Sequence, residues 1–461
     1  MEILVKFRKS IMLLMKLLLI CATLFSFISI WRNFYAFSLF NLMGNVLIVI
    51  TYVAILVTFN VLYGGFRIGI YRLHEIIYSQ SLALIFTNFI VYLELCLITR
   101  GYVPIQPIFW ALILQIAVAI ISVYCANTVY FKLYPARKMI AVFEDEASGG
   151  SLIRKMGKIP ERFEVSRGVS LLRYSVDEVK ELIKDYDGVI ICDIKSEVKY
   201  EILRYCYAKM KRVYVLPSST DIIVGSSYHI QIFDTPVLMC KNRGLTIEQE
   251  GIKRFLDVLF SLIGIIVSSP IMLIIAISIK LCDGGKIFFK QNRITKNGKI
   301  FNVIKFRSMI ENADSEGAKK ATDNDDRITP VGKIIRPLRL DELPQLFNIL
   351  FGTMSFVGPR PERIENVYEY TKRFPDFDLR HRVKAGLTGF AQIYGKYNTS
   401  PEDKLKMDLI YIERYSLLLD IKLVLMTVKI LFMKESTEGF TDKDNASVKK
   451  SKSLEEIEEN E

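Results

Sequence analysis

Histidine is scarce in this chain: only His74, His229 and His381 occur among 461 residues. Because histidine is the commonest general acid or base in proteins, this scarcity argues against chemistry that depends on a His base. The seven cysteines are scattered, with no CxxC pair and no His at metal-ligand spacing. Several lie in apolar runs, where a free Cys behaves as a small hydrophobic residue. The pattern argues against a disulfide framework and against a zinc site.

Acidic residues do not balance the basic ones, and the formal net charge is +12. Such a charge implies an anionic partner, which could be nucleic acid, anionic lipid headgroups or phosphorylated substrates. Half of the residues are apolar, and they concentrate before residue 127 and between Phe255 and Ile279. This uneven distribution predicts a membrane protein with water-facing domains, so anionic lipid and phosphate are favoured and nucleic acid is not.

Charged residues are nearly absent from four stretches of the first 127 residues, and each stretch is predicted to cross the bilayer. The spans are about Ile11 to Ile30, Leu42 to Leu62, Leu82 to Thr99, and Ile108 to Val123. Basic residues concentrate before the first span, between the second and third, and after the fourth. The positive-inside tendency therefore predicts a multi-pass protein of the plasma membrane whose later residues lie in the cytoplasm. Glu94, near the end of its span, is interpreted as interfacial rather than functional.

The stretch from Met139 to about Pro217 alternates short apolar runs with helical patterns. Met139–Phe143, Gly188–Cys192 and Val213–Leu216 are predicted as buried parallel strands, and the segments 176–183 and 198–210 as crossover helices. This indicates a small Rossmann-like α/β domain. Three acids follow the first strand and would repel a pyrophosphate, so a structural or assembly role is preferred over dinucleotide binding.

A fifth apolar segment, Phe255 to Ile279, is long enough to cross a membrane. Two features favour a helix that enters one leaflet and returns. Ser269 and Pro270 fall just past its middle, where Pro removes a backbone hydrogen bond. Basic residues also flank both ends, which favours both ends in the cytoplasm. A full span with a tolerated kink is the alternative.

The next block is rich in Arg and Lys around one adjacent acid pair, Asp341 and Glu342. A site for a diphosphate needs cations to offset its charge and an acid to hold a divalent metal. Because adjacent residues on a helix point about 100° apart, the two carboxylates are predicted to have different roles. One would be a nucleophile on phosphorus, and the other would hold Mg²⁺. The alternative is a helix start with solvated acids.

Several motifs in this block occur in one order over about 170 residues. They are Ser269-Pro270, then KFRSM from Lys305, LDELPQLFN from Leu340, GTMSFVGPRP from Gly352, and GLTGFAQ from Gly386. Together they resemble the bacterial sugar transferase family, the monotopic polyprenyl-phosphate sugar-1-phosphate transferases. The four leading spans and the α/β domain are similar to the longer members of that family.

The resemblance implies a two-step reaction with Asp341 as the nucleophile and Glu342 as the Mg²⁺ ligand. Asp341 would take the phosphosugar from a UDP-sugar with release of UMP, and a polyprenyl phosphate would then accept it. The product would start an exopolysaccharide, capsule or other lipid-linked glycan. The implied substrate-binding residues are Lys305, Arg307, Arg336, Pro359, Arg360, Pro361 and Lys396.

Three positions depart from the family pattern. Arg339 stands where many members have Ser, and Ala385 replaces a Pro common before Gly386. Lys396 stands where many members have an Arg thought to contact the nucleotide sugar. Lys keeps the charge but loses the bidentate fork.

The predicted architecture has four parts. Residues 1–130 form a four-helix transmembrane unit, and residues 131–245 form the cytoplasmic Rossmann-like domain. Residues 246–435 form a mainly α catalytic domain with a re-entrant helix at 255–279 and a short β-hairpin, and residues 436–461 form a disordered tail. A homodimer is compatible with the sequence. The competing functions are a non-catalytic regulatory or assembly protein of a polysaccharide export system, and a transporter, which charges outside the spans disfavour.

Overall fold

A computed structural model describes residues 7–35, 42–144, 146–157, 159–240, 244–310, 325–395 and 399–431. The chain divides into two compact units, one ending at Leu216 and the other beginning at Pro217. The expected disordered tail, 436–461, lies outside the described residues.

Four long apolar helices open the first unit. They are α1 (Arg8–Ile30), α2 (Leu42–Tyr63), α3 (Leu73–Thr99) and α4 (Gln106–Leu133), and a π-helical turn (Trp31–Tyr35) follows α1. Each is long and apolar enough to cross a bilayer, so the four predicted spans are confirmed as membrane-compatible helices. Helix α3 begins nine residues before the predicted span, because Glu75 accepts a hydrogen bond from the Arg72 backbone N–H and caps the helix start.

The membrane helices bury small polar and aromatic groups and expose apolar ones. Asn88 of α3 donates a 2.7 Å hydrogen bond to Gln115 of α4, and both side chains are buried. Outward-facing residues include Leu97 and Trp110, which are 78% and 65% exposed. Polar pairs inside and apolar side chains outside are typical of a protein whose outer surface meets lipid.

The remainder of the first unit is a parallel sheet with helices. Its elements are β1 (Arg137–Phe143), α5 (Glu146–Gly157), β2 (Phe163–Ser170), α6 (Val176–Ile183), β3 (Gly188–Cys192), α7 (Ser196–Ala208) and β4 (Arg212–Val215). The strand order is β2-β1-β3-β4, and all neighbours pair in parallel. The three predicted strands are confirmed. Strand β2 was missed because its sequence is half polar and only its last three residues are buried.

The second unit begins with a short helix, a hairpin and the fifth long apolar helix. These are α8 (Ser219–Gly225), β5 (Tyr228–Ile232), β6 (Thr235–Met239) and α9 (Ile247–Asp283). Thr246 caps α9 by accepting a hydrogen bond from the Gln249 backbone N–H. Helix α9 contains the predicted segment 255–279 and carries Pro270 inside it. Gly284, in the left-handed region, follows its last residue.

Both ends of α9 pack on the same unit. Near its start, Arg254 donates two 2.7 Å hydrogen bonds to the carbonyls of Ile349 and Leu350. Near its end, Ile275 and Ile279 join a buried cluster with Phe306 and Ile335. Between these contacts, residues 269–271 are exposed and apolar side chains project outward. The helix is thus anchored at both ends, with a free apolar middle around Pro270.

Short strands and helices complete the second unit. They are β7 (Phe288–Ile294), a 3₁₀ turn (Lys296–Gly298), β8 (Ile300–Phe306), α10 (Pro330–Ile335), a 3₁₀ turn (Leu340–Glu342), α11 (Gln345–Leu350), β9 (Ser355–Val357), α12 (Ile364–Arg373), a 3₁₀ helix (Pro375–Arg382), β10 (Gly386–Thr388), α13 (Phe390–Tyr394), α14 (Pro401–Glu413) and α15 (Leu417–Leu431). Strands β7 and β8 form the predicted antiparallel hairpin.

The second unit is mixed α/β, which corrects the expectation of a mainly helical domain with one hairpin. The described residues of this unit form three two-stranded sheets, including a parallel pair of β9 with β10. Each of these two strands has only three residues, too few to show a period in the sequence. The β9–β10 pair matters because the segment that follows β9 carries Arg360.

Candidate active site

The acid pair lies in the 3₁₀ turn Leu340–Glu342, between α10 and α11. Arg339 precedes the turn with φ 53° and ψ 23°, a left-handed conformation that costs a non-glycine residue roughly 1 kcal/mol. Such strained residues occur preferentially at functional sites. The turn separates the two carboxylates: Glu342 is buried, whereas Asp341 is half-buried.

Glu342 is held by two cations. Its Oε1 lies 2.8 Å from Nζ of Lys305 and 3.0 Å from Nη2 of Arg360. Burial alone would raise the pKa of Glu342, but the charges of Lys305 and Arg360 outweigh it and lower that pKa. Glu342 is therefore ionised at neutral pH. Its Oε2 accepts no hydrogen bond from the described residues.

Asp341 has the opposite electrostatic character. Burial and, to a smaller extent, the negative charge of Glu342 raise its pKa to about 6 against the lowering effect of Lys305. Arg336 and Arg360 lower it, but not enough to restore an ordinary value. A poorly solvated carboxylate that becomes ionised near neutral pH is a suitable nucleophile. The environment thus assigns the two neighbouring acids different chemical properties.

Guanidinium groups crowd this pair. Burial and the nearby charge of Arg360 lower the pKa of Arg339, and the same two causes lower that of Arg293 to about 10. The Glu342 carboxylate raises the pKa of Arg360. Cations that repel one another at close range form a site whose positive charge a polyanion such as a diphosphate would offset.

The segment that carries Arg360 is fixed by its own backbone. The Pro359 carbonyl accepts a 2.9 Å hydrogen bond from the Gly386 N–H, and the Pro361 carbonyl accepts one of 2.9 Å from Nη1 of Arg293. Just before it, a Cβ on Gly358 would lie 2.3 Å from the Lys384 carbonyl oxygen, so only glycine fits there. The two prolines and these hydrogen bonds fix the backbone of the segment, so the Arg360 side chain is the part of it that can move most.

The structure brings together some of the predicted site residues and not others. Lys305 and Arg360 meet Glu342, and the charge of Arg336 acts on Asp341. Arg307 instead forms an ion pair with Asp283 at the end of α9. The remaining predicted positions are Pro359 and Pro361 beside Arg360, Ser269 and Pro270 within α9, and Lys396, which lies outside the described residues.

Two residues at this site, Arg380 and Asp408, are not predicted from the sequence. Arg380 is 2% exposed and donates a 2.9 Å hydrogen bond from Nη2 to the Arg360 carbonyl. Asp408, also buried, pairs with Arg380. Neither lies in a motif, and α14 shows only that Asp408 neighbours apolar positions. No local signal marks a buried ion pair between residues 28 positions apart.

The carboxylates of the acid turn fit a Mg²⁺ site that substrate phosphates and waters complete, and not one built from protein side chains alone. Among the described residues, no three or more His, Cys, Asp or Glu side chains form a metal-holding group. Mg²⁺ is commonly bound through one or two carboxylates, with substrate phosphates and waters completing its shell. Glu342 is ionised and its Oε2 is open, so it fits a site of this kind, in which one protein carboxylate is joined by substrate phosphates and waters.

Comparisons with known proteins place the site in context. Residues 248–434 match the family model described as bacterial sugar transferase. A UDP-N-acetylgalactosamine-undecaprenyl-phosphate N-acetylgalactosaminephosphotransferase of Aeromonas hydrophila is 43% identical over 183 residues, covering 39% of this chain and 43% of the relative. A UDP-glucose:undecaprenyl-phosphate glucose-1-phosphate transferase of Klebsiella pneumoniae is 34% identical over 302 residues, covering 64% and 62%.

A shorter relative is matched almost completely. An uncharacterized sugar transferase of Bacillus subtilis (strain 168) is 37% identical over 187 residues, covering 41% of this chain and 90% of the relative. By contrast, the chain spans about half the length of the longer curated relatives that it matches.

Proposed function

Because the chain belongs to the bacterial sugar transferase family, we propose that it transfers a sugar 1-phosphate from a UDP-sugar to polyprenyl phosphate and releases UMP. One observation carries the proposal. A carboxylate with a raised pKa, Asp341, lies beside a buried ionised one, Glu342, inside a group of guanidiniums. The named activities of the relatives above support undecaprenyl phosphate as the acceptor.

The reaction has two displacements at one phosphorus atom. In the first, an Asp341 carboxylate oxygen forms a bond to the sugar-bearing phosphorus, the bond from that phosphorus to the bridging oxygen breaks, and UMP leaves with the bonding electrons. In the second, a lipid phosphate oxygen forms a bond to the same phosphorus and Asp341 is released. The product is a polyprenyl diphosphate sugar. Covalent catalysis of this kind divides one difficult step into two easier ones.

The other residues bind and position. Arg360 and Arg336 offset the charge of the diphosphate, and Lys305 holds Glu342 in place. Arg307 and Lys396 remain proposed substrate contacts. Glu342 would hold a Mg²⁺ ion, which supplies charge neutralisation for the phosphates when bound.

We also propose that α9 is re-entrant. A full span carries its ends to opposite sides of a hydrocarbon core about 30 Å thick. Both ends of α9 instead bond to one water-facing unit, through Arg254 at the start and the pair Asp283–Arg307 at the end. Ser269 and Pro270 lie in the exposed apolar stretch between them, where Pro breaks the hydrogen-bond ladder. The active site would then lie at the membrane surface, where the carrier presents its phosphate.

The same arrangement predicts the sidedness of the protein. The exposed Lys280, Lys286 and Lys290 would contact anionic headgroups on the cytoplasmic face of the plasma membrane. The parallel sheet of the first unit would be a Rossmann-like cytoplasmic domain with a structural role. The lipid-linked product would serve as the start of an exopolysaccharide or capsule chain.

Cysteine labelling tests the re-entrant helix. We expect Gly251→Cys and Lys286→Cys, each in a background without other cysteines, to react with an impermeant maleimide only from the cytoplasmic side. Both positions are exposed, so access is not limiting. Tyr102→Cys, at a residue 99% exposed between α3 and α4, is the control and should react only from the opposite side. Labelling of positions 251 and 286 from opposite sides would refute the re-entrant arrangement.

The activity is tested with the purified full chain. We expect UMP release from at least one member of a panel of UDP-sugars when Mg²⁺ and undecaprenyl phosphate are present. Chelation of Mg²⁺ should stop it. A non-catalytic assembly protein would release no UMP from any sugar of the panel while a control transferase is active, and that result would end the proposal.

A further inference from the structure

The Arg360 backbone is attached to a buried ion pair that makes no contact with the acid turn. Nη2 of Arg380 lies 2.9 Å from the Arg360 carbonyl oxygen and 2.7 Å from Oδ2 of Asp408. Nε of Arg380 donates a second hydrogen bond of 3.0 Å to the same Asp408 oxygen. Arg380 and Asp408 are 2% and 1% exposed at their side chains. One guanidinium therefore joins the 3₁₀ helix Pro375–Arg382, α14 and the segment after β9.

Stability does not explain this pair. Burying two charges removes both from water at a cost, and well-packed apolar side chains often stabilise a core equally well or better. The pair is also incompletely satisfied: among the described residues, the buried Nη1 of Arg380 donates no hydrogen bond and the buried Oδ1 of Asp408 accepts none. Burial, partly offset by Arg380, raises the pKa of Asp408 to about 6. A group retained at such a cost calls for another reason.

Geometry supplies that reason. The three residues Pro359, Arg360 and Pro361 have their carbonyls bonded to Gly386, Arg380 and Arg293 respectively. Of these three bonds, only the one from Arg380 reaches Arg360, whose side chain touches Glu342. An apolar side chain could fill the volume of Arg380, but it could not donate to the carbonyl. A planar guanidinium with several donors bonds a carboxylate and a carbonyl at once.

We propose that Arg380 and Asp408 are a positioning pair that holds Arg360 against Glu342 for phosphosugar transfer, a role that rests on the proposed function. Neither residue touches the substrate. Arg380 acts through the Arg360 backbone, and Asp408 acts by orienting Arg380. A misplacement of about 1 Å at a remote support can cost on the order of 10²-fold in rate.

The test separates positioning from folding. Arg380→Met/Asp408→Leu replaces the ion pair by apolar side chains, which keeps the core filled and removes the bond to Arg360. We expect kcat/KM for the UDP-sugar to fall on the order of 10²-fold, mainly through kcat, while the thermal midpoint stays within a few degrees. Arg380→Lys keeps the charge opposite Asp408 and should retain more activity than the double variant.

Coupling to Arg360 gives a readout that a purely structural role would not move. Because the pair acts through the Arg360 backbone, the double variant should lose much less kcat in an Arg360→Met background than in the wild-type background. Arg373→Met/Glu369→Leu is the matched control, because this pair is 3.9 Å apart and about two-thirds exposed. Its kinetics should equal those of the wild type.

The outcomes are distinct. If the wild type releases no UMP, the proposed function fails. If the wild type is active and the double variant keeps its kcat/KM, or loses as much kcat in the Arg360→Met background as in the wild-type background, the positioning role is wrong. If the double variant unfolds, Arg380→Lys decides alone: an unchanged kcat overturns the proposal, and a reduced kcat whose loss disappears in the Arg360→Met background supports it.

Discussion

Asp341→Asn is expected to lower the rate of UMP release on the order of 10⁴-fold or more. Asparagine keeps the size of the side chain but offers no anionic oxygen to attack phosphorus. Because Glu342 is bonded to Lys305 and Arg360, it is not free to replace the lost nucleophile. The measurement is UMP release from the purified full chain with Mg²⁺, undecaprenyl phosphate and the accepted UDP-sugar.

Mass spectrometry examines the covalent step directly. Without a lipid acceptor, the wild-type peptide that contains Asp341 should gain the mass of one phosphosugar, and the Asp341→Asn peptide should gain none. Asp376→Asn, at an exposed carboxylate outside the acid turn, is the matched control and should behave as the wild type. An Asp341→Asn variant that still turns over at a substantial fraction of the wild-type rate would exclude a nucleophilic role.

The same variant should be more stable than the wild type at neutral pH. The pKa of Asp341 is raised to about 6 in the folded chain, against about 4 for an ordinary carboxyl group. The folded state therefore holds the proton more tightly than the unfolded state, so ionisation above pH 6 opposes folding. Asparagine removes that opposition. The thermal midpoint should rise at pH 7.5, and the difference should shrink between pH 6 and pH 4.

Arg360→Met is expected to lower kcat/KM by about 10²- to 10³-fold, the loss typical of one preorganised charged donor. Two effects combine here. The diphosphate loses a cation, and the pKa of Asp341 rises because the charge of Arg360 no longer lowers it. The acidic limb of the pH profile should then move upward. Steady-state kinetics across pH 5 to 8 would record both changes.

Arg360→Lys and Arg373→Gln delimit this prediction. Lysine retains the charge without the planar fork, so it should recover only part of the activity. Arg373 is 67% exposed at its side chain and belongs to the same unit, so its loss should leave kcat/KM unchanged. Equal losses for Arg360→Met and Arg373→Gln would point to a general effect of charge instead of a specific one.

Local pattern was sufficient for the long elements. The four spans and the segment 255–279 are helices in the structure. They could be predicted because a helix needs about 20 consecutive apolar residues to cross a bilayer. The buried strands β1 and β3 were predicted from continuous apolar runs. Strands β2, β9 and β10 were not, since one is half polar and the other two have three residues each.

The residues of the candidate site likewise divide into those that a local motif predicts and those whose contacts only the folded chain shows. The motif around Asp341 and Glu342 and the Pro-Arg-Pro segment are adjacent residues, so they are visible in the linear chain. Lys305 and Arg307 looked equivalent there. In the structure Lys305 bonds Glu342, whereas Arg307 forms an ion pair with Asp283. Strand β8 ends between these two residues, so their side chains can reach different neighbours.

The sequence by itself determined the number of membrane-compatible helices, the hairpin β7–β8 and the identity of the acid pair, because run length, alternation and adjacency are local properties. Only the tertiary structure decided which acid is buried, which cations hold it, that both ends of α9 meet one unit, and that Arg380 and Asp408 support Arg360. These depend on contacts between residues far apart in the chain, and packing of the whole unit selects them.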